Sequence, residues 1–196
     1  MKKRHAYSIN KLIESSTATL DNDRSSVTSD NNLLLSPDAI HYVRDKILCA
    51  ISCIPKNGYR KLFISQKNLI HHHLLNLDEI QSLMINHGFE IVFPEILTFA
   101  NQVKLFSQAE IIISTAVAGL ANLMFCPENC KAVLLINERS PTNYYLFSHF
   151  AQILDNDLQF LPSIDNTTNI DGILQNDYIV NKDLLSDAIF SICNSL

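Results

Sequence analysis

One stretch, Glu110 to Asn122, restricts the fold of this chain more than any other. It begins with the run Glu110-Ile111-Ile112-Ile113-Ser114, passes through Gly119 and continues into a second apolar segment that reaches Phe125. A β-branched apolar run that turns through a glycine into a helix is typical of a buried parallel strand followed by its crossover helix. The first turn of such a helix suits a phosphate, because its N–H groups are unpaired and carry partial positive charge. Alternatively, Gly119 only lets the helix pack closely on the sheet.

The same alternation of strands and helices extends along most of the chain. Strands are predicted for Lys61–Ser65, Glu90–Phe93, Glu110–Ser114, Lys131–Ile136 and Leu158–Leu161, and helices for residues 37–51, Asp78–Asn86, the segment capped by Thr98, the segment after Gly119, Thr142–Leu154 and Asp183–Cys193. This order predicts an α/β domain, Rossmann-like, with a mostly parallel sheet and flanking helices. Ligands bind such sheets at the carboxyl ends of the strands, where the loops 66–75, 94–97 and 115–119 are expected to converge.

Size, charge and cysteine content exclude several classes of protein. A chain of 196 residues, 47% of them hydrophobic and 18% charged, suits one soluble domain. The net charge of −5 gives no reason to expect binding to nucleic acid. Neither a secretory signal nor a transmembrane segment is recognisable, and five cysteines without a signal favour a reducing compartment, the cytoplasm. Residues 1–34 are polar and irregular and are expected to be poorly ordered, so the domain spans 35–196.

Other residue clusters have both a structural and a functional interpretation. His71 and His73 point to the same side of an extended segment, but no acid or cysteine lies at a convincing spacing beside them, so no metal site is predicted. The cysteine pairs 49/53 and 126/130 are expected to be packed thiols rather than zinc ligands. The aromatic residues between Tyr144 and Phe150 suit either a helix core or stacking on a sugar or base.

Several blocks of the sequence, in order and spacing, resemble the carboxyl-terminal half of glycosyltransferase family 61, which includes capsular polysaccharide transferases and O-linked N-acetylglucosamine transferases. The matching blocks lie between Leu35 and about Leu161 and include Leu35-Ser36-Pro37-Asp38-Ala39, Gly88-Phe89-Glu90-Ile91-Val92-Phe93-Pro94-Glu95, Phe99-Ala100-Asn101-Gln102-Val103-Lys104-Leu105-Phe106 and Ala118-Gly119-Leu120-Ala121-Asn122-Leu123-Met124-Phe125-Cys126-Pro127.

The resemblance implies the second Rossmann-like domain of a GT-B glycosyltransferase. Such a protein transfers a sugar from a nucleotide-diphosphate donor, expected here to be a UDP-sugar, to a glycan or polysaccharide acceptor without a further cofactor. Carried over by position, Glu95 would lie near the nucleoside. The full set of nucleotide-sugar-binding residues implied in this way is Ser65, Gln66, His72, His73, Glu95, Thr115, Ala118, Gly119, Leu120 and Asn122. No catalytic base is identifiable.

The chain departs from the family pattern at the positions that would hold phosphate. Gln66 and the pair His72-His73 stand where the family usually has arginines, and Val117 stands where it has glycine. An arginine bond to phosphate is worth about 1.5–3 kcal/mol, and a histidine is only partly charged at pH 7. The first 34 residues also contain no counterpart of the family's amino-terminal domain. The alternative function is therefore an inactive remnant, or a subunit whose partner chain supplies the amino-terminal half.

Overall fold

A computed structural model describes residues 35–52, 59–65, 74–115, 117–137, 145–163 and 178–194. In chain order its elements are α1 (Pro37–Ala50), β1 (Arg60–Ile64), α2 (Leu77–Asn86), β2 (Glu90–Val92), a short 3-10 turn (Pro94–Ile96), α3 (Phe99–Phe106), β3 (Ala109–Ser114), a 3-10 helix (Val117–Phe125), β4 (Lys131–Ile136), α4 (Tyr145–Ile153), β5 (Asp157–Pro162) and α5 (Lys182–Asn194). The expectations for residues 1–34, for Gln66 and for His71 to His73 lie outside the described residues.

The strands form one parallel five-stranded sheet in the order β2-β1-β3-β4-β5. The chain therefore runs from β1 to β2 on one side and then returns past β1 to β3 on the other. This reversal places a topological switch point between the carboxyl ends of β1 and β3, which is where open α/β sheets bind ligands. The predicted α/β, Rossmann-like class is confirmed.

Helices cover both faces of the sheet. One face packs against α1, α3, the 3-10 helix and α4, and the other packs against α2 and α5. Because successive strand residues point to opposite faces, Leu62 and Ile64 contribute to the first core cluster and Phe63 to the second. All three residues are at most 1% exposed. The sheet is thus buried on both sides, as the unbroken apolar runs in its strands predict.

Local sequence signals set several helix ends. The Ser36 hydroxyl accepts a hydrogen bond from the Ala39 N–H at the start of α1, with Pro37 in the first helical position. Thr98 caps α3 in the same way. Gly88 follows the end of α2 with a φ of +81°, in the left-handed region that glycine tolerates at this position.

The segment after β3 differs from the predicted crossover helix in type. Val117–Phe125 is a 3-10 helix, whereas an ordinary helix was expected there. A 3-10 helix rises about 2.0 Å per residue against 1.5 Å in an α-helix, so nine residues cover about 18 Å instead of about 13.5 Å. The segment is therefore about 4.5 Å longer than an α-helix of nine residues.

Two other details depart from the sequence interpretation. Helical spacing assigns Val43 and Phe99 to the apolar faces of α1 and α3, but they are 44% and 54% exposed. The Phe99 ring nevertheless makes an edge-on contact with Phe125, with ring centroids 5.7 Å apart. The expectation of packed thiols is met at Cys126 and Cys130, which are buried, but Cys49 is exposed.

Candidate functional site

Three predicted site residues follow adjacent strands of the sheet. Ser65 comes directly after β1, Thr115 directly after β3, and Glu95 lies in the turn that follows β2. Because the strand order is β2-β1-β3, these positions share one carboxyl edge of the sheet. Glu95 is exposed there, Thr115 is partly buried, and Ser65 is fully buried. The topology thus brings together the strand ends that the sequence pointed to.

Gly119 lies where the 3-10 helix crosses the end of β1. A Cβ atom on Gly119 would stand 2.8 Å from Cγ2 of Ile64 and 3.1 Å from Oγ of Ser114. Real Cβ atoms essentially never approach another heavy atom within 3.0 Å. The absence of a side chain therefore allows the 3-10 helix to rest directly on β1 and β3. The close packing that was one of the two interpretations of this glycine is present.

The Ser65 hydroxyl is engaged inside the protein. It accepts a hydrogen bond of 3.1 Å from Nε2 of Gln81 in α2, and Ser65 is 0% exposed. Its backbone N–H donates to the carbonyl of Val92, which holds the ends of β1 and β2 together. The Ser65 side chain therefore links the end of β1 to α2. The Ser65 hydroxyl is closed off from solvent in this structure.

Two further predicted residues face the protein interior. Leu120 is 0% exposed and belongs to the core cluster on the α1 face of the sheet. Asn122 is 8% exposed, and its Nδ2 donates to the carbonyl of Gly119 at 3.3 Å. Asn122 thereby stabilises the first turn of the 3-10 helix. Ala118 lies in the same turn, but its side chain is outside the described part of the structure.

Thr115, directly after β3, is hydrogen-bonded to two other parts of the chain. Thr115 N–H donates to the carbonyl of Ile64 at 3.2 Å, and its Oγ1 is 3.4 Å from the same carbonyl. In addition, the hydroxyl of Tyr178 donates to the carbonyl of Thr115 at 3.3 Å. Neither Gln81 nor Tyr178 was identified from the sequence. No local pattern marks them, because each contacts the site from an element distant along the chain.

Positive charge on the strands lies away from this edge. Arg60 and Lys61 begin β1, and Lys131 begins β4, so all three are at the amino ends of the parallel strands. Lys182, at the start of α5, forms an ion pair with Glu79 at the start of α2. The hydrogen bond between these two side chains raises the pKa of Lys182 and lowers the pKa of Glu79. Among the described residues, the carboxyl ends of the strands themselves therefore carry no lysine or arginine.

A groove of about 380 Å³ lies along the outer edge of the sheet, between β2 and α3. Its polar lining includes Arg60, Glu90 and Lys104. Arg60 and Glu90 form an ion pair of 3.1 Å across the start of β1 and β2. The groove reaches Ile96, next to Glu95, but it does not include Ser65 or Thr115. It is therefore separate from the edge formed by the ends of β1 and β3.

The fold and this edge define a Rossmann-like α/β protein whose candidate site is the β1/β3 switch point. The model of the family glycosyltransferase 61 matches residues 6–133, which is more than half of the chain. The chain therefore belongs to glycosyltransferase family 61. The match starts within the segment 1–34 and ends inside β4, so it includes every predicted site residue. No curated protein matches the chain in sequence.

Two negative findings concern the described residues alone. Within them, no helix combines the length and apolar character needed to cross a bilayer. The same part of the chain contains no group of three or more histidine, cysteine, aspartate or glutamate side chains arranged to hold a metal ion.

Proposed function

We propose that this glycosyltransferase-like chain binds the diphosphate of a nucleotide-sugar donor, a UDP-sugar, at the carboxyl ends of β1 and β3. In this proposal the sugar passes to a glycan or polysaccharide acceptor. Catalysis comes from holding the donor in place and from stabilising the diphosphate leaving group. The reaction uses no further cofactor.

The observation that carries the proposal is the convergence of Thr115 and Gly119 at the switch point. The 3-10 helix approaches β1 without an intervening side chain at Gly119. A turn at the carboxyl end of a strand directs backbone N–H groups toward the space above the sheet, where an anion is stabilised. Glu95, exposed after the neighbouring strand β2, suits hydrogen bonding to a sugar hydroxyl or base of the nucleoside.

We expect the affinity for the donor to be modest. The strand cations lie at the opposite edge of the sheet, and Gln66, His72 and His73 replace the arginines usual in the family. In the proposal these three residues assist the turn at Thr115. Loss of one charge-assisted bond of about 1.5–3 kcal/mol weakens binding by roughly one to two orders of magnitude.

Calorimetric titration of the purified chain with UDP, and then with UMP, uridine and other nucleoside diphosphates, tests the proposal. We expect micromolar binding of UDP and progressively weaker binding as each phosphate is removed. Thr115→Val, which keeps the side-chain volume but removes the hydroxyl, should weaken UDP binding severalfold. Ser82→Ala is the matched control, because the Ser82 hydroxyl donates to the Asp78 carbonyl on the exposed side of α2. Absence of heat at millimolar UDP would contradict the proposal.

The alternative is a protein that retains the family fold without its donor chemistry, either as an inactive remnant or as a partner of a chain with the amino-terminal half. The specific observation in its favour is that Ser65, Leu120 and Asn122 are all turned into the protein interior. Under this alternative, UDP gives no heat, whereas the folded domain remains stable. Co-purification with a second Rossmann-like chain would separate the partner role from the remnant.

A further inference from the structure

A short segment near the carboxyl end of the chain crosses the region beside the candidate site. This segment, Tyr178–Val180, is called the strap. Tyr178 forms a parallel bridge with Leu74, and the Leu75 N–H donates to the Tyr178 carbonyl at 2.9 Å. The strap thus pairs with the backbone that leads from the loop after β1 into α2. It lies between β5 and α5 and leads directly into α5.

Asn76 fixes the other end of the strap. Its Nδ2 donates to the Val180 carbonyl at 2.9 Å, and its Oδ1 accepts from the Val180 N–H at 3.2 Å. One amide side chain therefore satisfies both backbone groups of a residue that is 1% exposed. The ion pair between Glu79 and Lys182 ties the first turns of α2 and α5 together next to it. The strap is attached to α2 by backbone, amide and ionic contacts.

The Tyr178 side chain connects the strap to the candidate site. Tyr178 is 4% exposed, and its ring belongs to the same core cluster as Phe63 and Ile80. Its hydroxyl reaches the carbonyl of Thr115 at 3.3 Å. That carbonyl lies in the turn between β3 and the 3-10 helix. Because the ring is packed in this cluster, the hydroxyl has little freedom, and it holds the carbonyl of a residue whose N–H is bonded to Ile64.

We propose that Tyr178 is a positioning residue that fixes the orientation of Thr115, at the end of β3, for donor binding. The proposed effect on the donor rests on the function proposed above, whereas the effect on the turn does not. Thr115 carries the carbonyl that Tyr178 holds together with the N–H and hydroxyl that contact the end of β1, so fixing the carbonyl also fixes the residue that the proposed function places at the diphosphate. Tyr178 lies outside residues 6–133, so this control comes from a part of the chain beyond the family match.

Tyr178→Phe tests the proposal, because it removes the hydroxyl and leaves the packed ring. Hydrogen exchange, read by mass spectrometry, is measured on the peptide that contains Thr115, and UDP binding is measured by calorimetry on the same protein. We expect exchange at this turn to become about fivefold faster and UDP binding about fivefold weaker, the effect of one net hydrogen bond. Exchange in β4 and α5 should remain at the wild-type rate.

Tyr59→Phe is the matched control. The Tyr59 hydroxyl also makes one hydrogen bond, of 2.9 Å to Oε1 of Gln108, but this contact lies at the amino end of β1. We expect no change in UDP affinity and no change in exchange at the Thr115 turn in this variant. A change as large as that in Tyr178→Phe would overturn the assignment, since the response would then be a general effect of losing a tyrosine hydroxyl.

The two readouts separate the positioning role from the proposed function. If wild-type protein does not bind UDP, the donor proposal fails, and exchange at the turn alone decides whether Tyr178 positions it. Unchanged exchange at the turn in Tyr178→Phe overturns the positioning role in either case. Exchange that becomes faster throughout the domain also overturns it, because Tyr178 would then act on overall stability. Local acceleration without a change in UDP affinity rejects the link to donor binding.

Discussion

Replacing Gly119 with alanine is expected to destabilise the fold by about 1–2 kcal/mol. The new Cβ would lie 2.8 Å from Cγ2 of Ile64 and 3.4 Å from its Cδ1. Ile64 is 1% exposed on β1, which lies between β2 and β3, and a β-branched side chain has little rotational freedom. Overpacking of a core costs about 1–3 kcal/mol. The reduced entropy of the unfolded chain offsets about 0.4–1 kcal/mol of this cost.

Urea unfolding of the variants in a double-mutant cycle isolates the contact between residue 119 and Ile64. Ile64→Leu removes the Cγ2 atom that causes the closest clash and conserves the side-chain volume, so alone it should cost less than about 1.5 kcal/mol. In the double variant Gly119→Ala/Ile64→Leu, the alanine should cost about 1 kcal/mol less than it costs beside isoleucine. The slope of free energy against urea should stay constant, which indicates that the unfolded state is unchanged.

Gly88→Ala is the control for the general effect of replacing a glycine. A Cβ at Gly88 would have no atom within 4 Å, but the residue has a φ of +81°. Its replacement should cost about 1 kcal/mol through backbone strain and should show no coupling to Ile64→Leu. The close contact between Gly119 and Ile64 would be contradicted if Gly119→Ala were as stable as the wild type, or if its cost were the same in the Ile64→Leu background as in the wild-type background.

Two further predictions concern contacts between elements. Arg44 in α1 donates through Nε and Nη2 to the carbonyls of Met124 and Cys126, at 2.8 and 3.0 Å. Arg44→Met should therefore lower the free energy of unfolding, measured in urea, by about 1.5–3 kcal/mol. Lys46→Met, on the exposed side of α1, is the control and should have little effect. Equal losses in both variants would contradict this. The hydrogen bond from Lys182 lowers the pKa of Glu79 below its ordinary value, so the contribution of Glu79 to stability is present above the unfolded pKa and is lost as pH falls through the folded pKa. Glu79→Gln should therefore be less stable than wild type at pH 7 in urea unfolding, and the difference should shrink as the pH is lowered through the folded pKa of Glu79; a difference that stays constant on acidification would disprove the assignment.

The elements were predictable because their signals are local. The N-cap at Ser36, the C′ glycine at Gly88 and the apolar run at Ile111 each act within a few residues, so helix and strand positions follow from spacing alone. The parallel arrangement followed from the alternation of these elements. The type of the helix after β3 did not follow from spacing, because an ordinary helix was expected and the segment is a 3-10 helix.

The candidate site was only partly predictable. Its position at the ends of β1 and β3 followed from the order of the loops and from Gly119. The direction of the side chains did not: Ser65 and Asn122 were expected at the donor, and both are hydrogen-bonded inside the protein. A side chain's direction depends on what packs against it, and the partner of Ser65, Gln81, is 16 residues away.

By itself, the sequence determined the strands, the helices with their caps, the α/β class and the resemblance to family 61, because periodicity, capping and motif spacing are properties of neighbouring residues. Only the tertiary structure decided the strand order, the close approach of Gly119 to Ile64, and the reach of Tyr178 to Thr115 across 63 positions. These contacts join residues far apart in the chain. Each forms only when the whole sheet and both helix layers pack together, so no local pattern records it.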